Sequence, residues 1–209
     1  MSISKVFAVV ASVLVGFVAS ATDYTWDAAV KEGSWTDPNS WTAKSGYPQT
    51  TSDKAIFPKT TEARIVVNGE IAVYQLKCEG GTNVFSGTAG AELRLSTDLQ
   101  PSNNSSIEFT DGLVVWVNNG NGALKMRSGS NKHLTISDGA VVYVKEVNLD
   151  NGSGIVIDNA RLETTGNQWT PYGQGNALAS VRFKGKNPVW RQLATANSSW
   201  GVHTSTKGA

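Results

Sequence analysis

Ile107-Glu108-Phe109-Thr110-Asp111-Gly112-Leu113-Val114-Val115-Trp116-Val117 aligns without a gap on Leu134-Thr135-Ile136-Ser137-Asp138-Gly139-Ala140-Val141-Val142-Tyr143-Val144, 27 residues further on. A looser copy, Ile155-Val156-Ile157-Asp158-Asn159-Ala160-Arg161-Leu162-Glu163, follows after another 21 residues, and fainter echoes start at Ile65, Val84 and Val181. Each copy reads as apolar-x-apolar, a polar pair suited to a tight turn, and a second short strand. Successive starts lie 19 to 27 residues apart, the length of one turn of a solenoid with variable loops. A single turn of this kind cannot bury its own apolar face, so neighbouring turns must supply the core.

The repeat predicts an all-β chain, a short right-handed parallel β-solenoid. Ile107, Leu134 and Ile155 should stack in one interior column, and Phe109, Ile136 and Ile157 in the next. Asp111, Asp138 and Asp158 would stand in a column at a corner between strands. Helical signals are nearly absent after residue 22, where Gly, Asn, Ser, Thr and Val dominate. Asp-Gly and Asp-Asn pairs also suit two-residue hairpin turns, so an antiparallel β-sandwich is the alternative at this point.

Composition sets the compartment and narrows the partners. Lys5, an apolar run from Val6 to Ala19 and the small residues Ala19-Ser20-Ala21 have the form of a cleavable secretory signal. The run is 14 residues, short of the roughly 20 that a membrane-spanning helix needs. The expected division is a signal peptide at 1–21, a Trp-rich N-terminal cap at 22–60 and solenoid turns at 61–209. Removing the signal changes the formal net charge from +1 to 0, which gives no electrostatic footprint for nucleic acid or an anionic membrane. The lone cysteine, Cys78, cannot form an internal disulfide and reads as a buried small hydrophobe.

Residues 24–57 form a different unit. It carries Trp26-Asp27, Gly33-Ser34-Trp35, Asn39-Ser40-Trp41, Pro48 and Asp53-Lys54-Ala55-Ile56-Phe57. The bland account is a set of large rings that covers the open end of the solenoid. The series also resembles the start of secreted bacterial β-helix proteins with autotransporter-associated β-strand repeats. That resemblance implies a secreted or surface-exposed, passenger-like solenoid, often adhesive or of unknown role, and it carries over no catalytic residue. The segment 190–209 has neither the serial alternating strands nor the terminal aromatic residue of a membrane barrel, so the expectation is a free module or a shortened relative.

Catalytic signals are missing. His133 and His203 belong to no metal-ligand series, no serine sits in a Gly-x-Ser-x-Gly elbow, and Gly120-Asn121-Gly122 lacks the Lys-Ser/Thr of a phosphate loop. The chain is therefore expected not to be an enzyme and to use no cofactor. Calcium is the one metal considered: carboxylates of Asp111, Asp138 and Asp158, stacked about 4.8 Å apart, would supply oxygen ligands, although aspartate is also simply a good turn residue. Trp116 and Tyr143 occupy equivalent repeat positions opposite the inward Val115 and Val142. They form either an outward platform for a surface or extracellular polysaccharide or a structural cross-rung pair. The readings are, in order, a structural or adhesive surface solenoid, a carbohydrate-binding module using Trp116 and Tyr143, and a calcium-dependent polysaccharide-active enzyme.

Overall fold

The computed structural model describes residues 21–126, 131–150, 152–166, 169–172 and 179–193; His203 and, apart from Ala21, the expected signal at 1–21 lie outside them. The described chain is almost entirely strand. It opens with β1 (Asp23–Thr25) and β2 (Glu32–Ser34), then runs through β3 (Lys54–Phe57), β4 (Glu62–Val67) and β5 (Glu70–Val73). The next turns are β6 (Gln75–Cys78), β7 (Gly81–Gly87) and β8 (Glu92–Leu95), then β9 (Ser105–Thr110) and β10 (Val114–Val117). They continue with β11 (Ala123–Met126), β12 (His133–Ser137), β13 (Val141–Val144), β14 (Glu146–Asp150), β15 (Gly154–Asp158) and β16 (Arg161–Thr164). The last described turn is β17 (Trp169–Tyr172), β18 (Ser180–Lys184) and β19 (Val189–Gln192).

These strands build a three-sided parallel β-solenoid. One face is the ladder β2-β4-β7-β9-β12-β15-β18, a second is β5-β8-β10-β13-β16-β19, and the third comprises β1-β3-β6 and, further along, β11-β14-β17. Among the described residues no strand pairs with its neighbour in the chain, which rules out the sandwich: a hairpin requires such pairing, and every ladder described is parallel. The Asp-Gly pairs turn corners between faces instead of closing hairpins. Asp111 and Gly112 have φ of 55° and 72°, Asp138 and Gly139 have 46° and 79°, and Asp and Gly are among the few residues that tolerate this left-handed region.

The interior columns fall where the repeat places them. Ile107, Leu134 and Ile155 are in register, as are Phe109, Ile136 and Ile157, and all six are fully buried. The early echoes are out of step. Ile65 pairs with Phe85 and so belongs to the Phe109 column, while the Ile107 column continues through Asn83 and Ala63. Apolar pattern could not reveal this, because a small residue and a buried amide occupy the inward positions. The third face, with β6, β11, β14 and β17, leaves no mark in the repeat, since its strands carry inward Leu76, Cys78, Leu124 and Met126 among polar neighbours and no repeated turn signal.

The N-terminal unit is continuous with the solenoid, because β1 pairs with β3 and β2 with β4. Trp26, Trp35 and Trp41 are fully buried. Each indole N–H has a backbone acceptor: Trp26 donates to Val30 O at 2.9 Å, Trp35 to Pro48 O at 2.8 Å and Trp41 to Trp35 O at 2.9 Å. Ring contacts pass inward from Trp26 and Trp35 to Phe57, then to Phe85 and Phe109, with centroids 5.1–6.3 Å apart. Gly33 is required here, since a Cβ on it would lie 2.6 Å from Ser40 Oγ and 3.3 Å from the Trp26 ring.

Stacked columns make the core sensitive to cavities. Ile136→Ala is expected to cost about 2–5 kcal/mol in urea unfolding, and Thr135→Ala, on the outward side of the same strand, less than about 1 kcal/mol; comparable losses at both positions would contradict the inward register.

Candidate functional site

The outward side of the second face carries the candidate aromatic pair. Pairing aligns Ala72, Arg94, Trp116, Tyr143, Glu163 and Arg191 in one column across six strands. A parallel ladder puts equivalent side chains one strand spacing apart, so flat groups in such a column lie on one another. The Trp116 and Tyr143 rings do so, with centroids 3.9 Å apart and planes 6° from parallel. On the other side of Trp116 the Arg94 guanidinium sits 5.4 Å from the ring centroid, a cation–π contact. Glu70 holds that guanidinium at 2.9 Å and Glu92 at 2.5 Å.

Beyond Tyr143 the column ends in a second charge cluster. Glu163 is 0% exposed. Its carboxylate accepts from Arg161 Nε at 3.0 Å and from Arg191 Nε at 2.8 Å and Nη2 at 3.0 Å, and it raises the Arg191 guanidinium further above its ordinary pKa. Trp116 and Tyr143 are therefore outward, as the repeat predicts, but their faces are turned along the solenoid axis. A sugar stacks on an exposed aromatic face, and both faces of Trp116 are covered by its column neighbours. The Trp116 indole N–H is buried without a protein acceptor.

The aspartate column is displaced by one residue. Asp138 follows Ser137, and Ser137 is the residue paired with Asp158. Asn159 thus takes the place beside Asp138, and the column reads Asp111, Asp138, Asn159. The third repeat is one residue shorter in the turn itself: Ser137 pairs with Asp158 and Val141 with Arg161, so Gly139 has no counterpart. Asp138 accepts from Thr110 Oγ1 at 3.3 Å, Asp111 approaches Arg64 at 3.9 Å and Asp158 accepts from Asn159 Nδ2 at 3.2 Å. Among the described residues no group of three His, Cys, Asp or Glu side chains is placed to hold a metal ion.

A feature that the repeat did not signal lies on the third face, where the ladder breaks between β6 and β11. Residues 97–102 span the gap. Leu99 bridges Leu124, with Leu99 N donating to Ala123 O at 3.0 Å and Lys125 N to Leu99 O at 2.9 Å. Pro101 brings no N–H, so the segment cannot continue as a regular ladder strand. Asp98 anchors it, accepting from Ala123 N at 2.7 Å and pairing with Lys125 Nζ at 2.5 Å. Partial burial opposes its charge, but the Lys125 and Ala123 donors outweigh that and hold the carboxyl below the ordinary carboxylate range.

An open groove of about 730 Å³ follows the break, lined by Lys59, Lys77, Glu79, Gly80, Gly81, Ser102, Asn103 and Asn104. It adjoins a second hollow of about 380 Å³ to which Gln75, Gln100 and Lys132 contribute, the two sharing Lys77, Ser102 and Asn103. Cys78 is inward and fully buried, which pushes its thiol pKa far up and leaves it unreactive. Comparison with protein-family models, curated proteins and solved structures gives no match to this chain.

Two measurements check these geometries. A double-mutant cycle of Trp116→Ala and Tyr143→Ala should give a coupling of about 0.5–1.5 kcal/mol in stability, and strict additivity would contradict the stack. Asp98→Asn should lower the urea midpoint at pH 7, because a depressed carboxyl stabilises the fold above its unfolded pKa of about 3.9. The deficit relative to the parent should close as pH falls through that value and then through the lower folded one; a deficit independent of pH would show that the charge is not responsible.

Proposed function

We propose that this chain is a non-catalytic structural or adhesive solenoid working outside the cytoplasm, secreted or held at a cell surface. The observation that carries the reading is the second face: its outward aromatic and charged side chains are spent on one another along the column. Trp116 is sandwiched between Arg94 and Tyr143, and Glu163 is closed off by two arginines. Such a face stiffens a rod and offers no reacting group.

The N-terminal sequence pattern supports export, and the resemblance of the Trp26-to-Phe57 series to autotransporter-associated repeats supports display of the solenoid as a passenger-like module. A carbohydrate-binding role for Trp116 and Tyr143 finds less support, because both faces of Trp116 and one face of Tyr143 are occupied.

Expression of the 209-residue chain in a bacterial host should place it outside the cytoplasm with a new N-terminus near Thr22. Incubated with a panel of polysaccharides, with and without calcium, it should release no new reducing ends and no unsaturated products. Retention inside the cell with Met1 intact would overturn the export reading, and product release would overturn the non-catalytic one.

A further inference from the structure

Among the described residues the first face ends in β2 on one side and β18 on the other. One outward column threads all seven of its strands, from Glu32 through Arg64, Glu108 and Thr135 to Arg182. The two ends differ in charge. Residues 180–193 hold Arg182, Lys184, Lys186 and Arg191 and no carboxylate, whereas residues 22–53 hold five carboxylates against Lys31 and Lys44. Some of these groups are engaged within the chain: Arg191 by Glu163, Asp23 by Lys54, and Asp53 by the Gln49 and Thr50 amides. Arg182, Lys184 and Lys186 are exposed and make no ion pair with a described residue, and the same holds for Glu32.

The two end strands also present backbone in matching phase. In β18, Ser180 N donates to Ser153 O at 3.0 Å and Lys184 O accepts from Asn159 N at 3.3 Å. Ser180, Arg182 and Lys184 therefore bond toward β15, and the alternate Val181 and Phe183 turn their N–H and C=O groups away from the ladder. In β2, Lys31 O accepts from Arg64 N and Trp35 N donates to Val66 O, both at 2.8 Å, so Glu32 and Ser34 are the residues turned away. A parallel strand set with Arg182 beside Glu32 brings Phe183 N–H to Glu32 O, and the Glu32 and Ser34 N–H groups to the carbonyls of Val181 and Phe183. Phe183 continues the inward column of Phe109, Ile136 and Ile157, yet it is 53% exposed. This register sets it against Gly33 and the half-buried Val30 of the cap. On the third face the β1 edge is already covered, since Thr42 N donates to Thr25 O at 2.8 Å, so the contact is centred on the first face.

We infer that the chain associates head to tail: β18 of one copy adds to β2 of the next and continues the parallel ladder, with Arg182 paired to Glu32. The inference rests on the structural reading above and names what the rod assembles with. A heterologous contact of this kind, repeated, extends a filament. Charge selects the occupant of the β18 edge. Two such edges would set cations against cations, and residues 194–209 contain no Asp or Glu to match them. The β2 end of a second copy supplies a carboxylate in register.

Sedimentation velocity of the exported chain, over a range of concentrations in low and high salt, tests this. Monomer should give way to dimer and longer species as concentration rises in low salt, and the association should weaken with added salt. Glu32→Lys and Arg182→Glu should each raise the dissociation constant at least about tenfold, because an attraction becomes a repulsion. An equimolar mixture of the two variants should associate again, since each supplies the end that the other lacks, and the double variant should associate with itself. Both positions are exposed, so unfolding midpoints should match the parent's. A monomer at every concentration in low salt, an oligomer that neither substitution weakens, or variants that stay monomeric when mixed would overturn the assignment. Any of these contradicts the end pairing alone, whereas retention in the cell or cleavage of a polysaccharide contradicts the reading on which it rests.

Discussion

Among the described residues every ladder joins strands about one turn apart in sequence, and no strand pairs with the one that follows it. A turn taken alone would leave its backbone donors and acceptors unmet and its inward Ile, Leu, Val and Phe side chains wet. Stability therefore accumulates by stacking, and the structure must answer for any place where stacking stops. At the N-terminal end three buried tryptophans close the stack. Their indole donors are satisfied locally by Val30, Pro48 and Trp35 carbonyls, so the cap contributes large apolar area without orphaned polar groups.

The same stacking constraint governs the surface. Once equivalent residues are held one strand spacing apart, an outward tryptophan above an outward tyrosine must either stack or splay, and here they stack. Arg94 with Glu70 and Glu92 flanks the pair on one side, and Glu163 with Arg161 and Arg191 follows in register on the other. What makes this face a strong ladder makes it a poor platform for a flat ligand. The third face, by contrast, is broken by Pro101 and re-anchored through Asp98, and the break leaves a polar recess where a regular ladder would have been flat.

Much of the fold was legible because two adjacent turns are near copies. The gapless match from Ile107 to Val117 with Leu134 to Val144 yields the interior columns, the Asp-Gly corners and the outward Trp116–Tyr143 pair. Legibility declines where turns diverge. Ala63 and Asn83 hold inward positions without an aliphatic signal, and the shorter third repeat moved Asp158 one place off the column it was expected to join. The groove was invisible for a further reason: Lys59, Lys77 and Asn103 are separated in sequence and follow no motif, and only the closure of the turns brings them together. Ring orientation was equally out of reach, since alternation says that a side chain faces outward but not which way its plane is turned.

The central claim is that pairing between successive turns, not within a turn, holds this solenoid together. Residue-resolved amide hydrogen exchange addresses it most directly. The account predicts strong protection for the ladder amides of the inner strands β9 and β12, which have a paired strand on both sides. Rapid exchange there would contradict it.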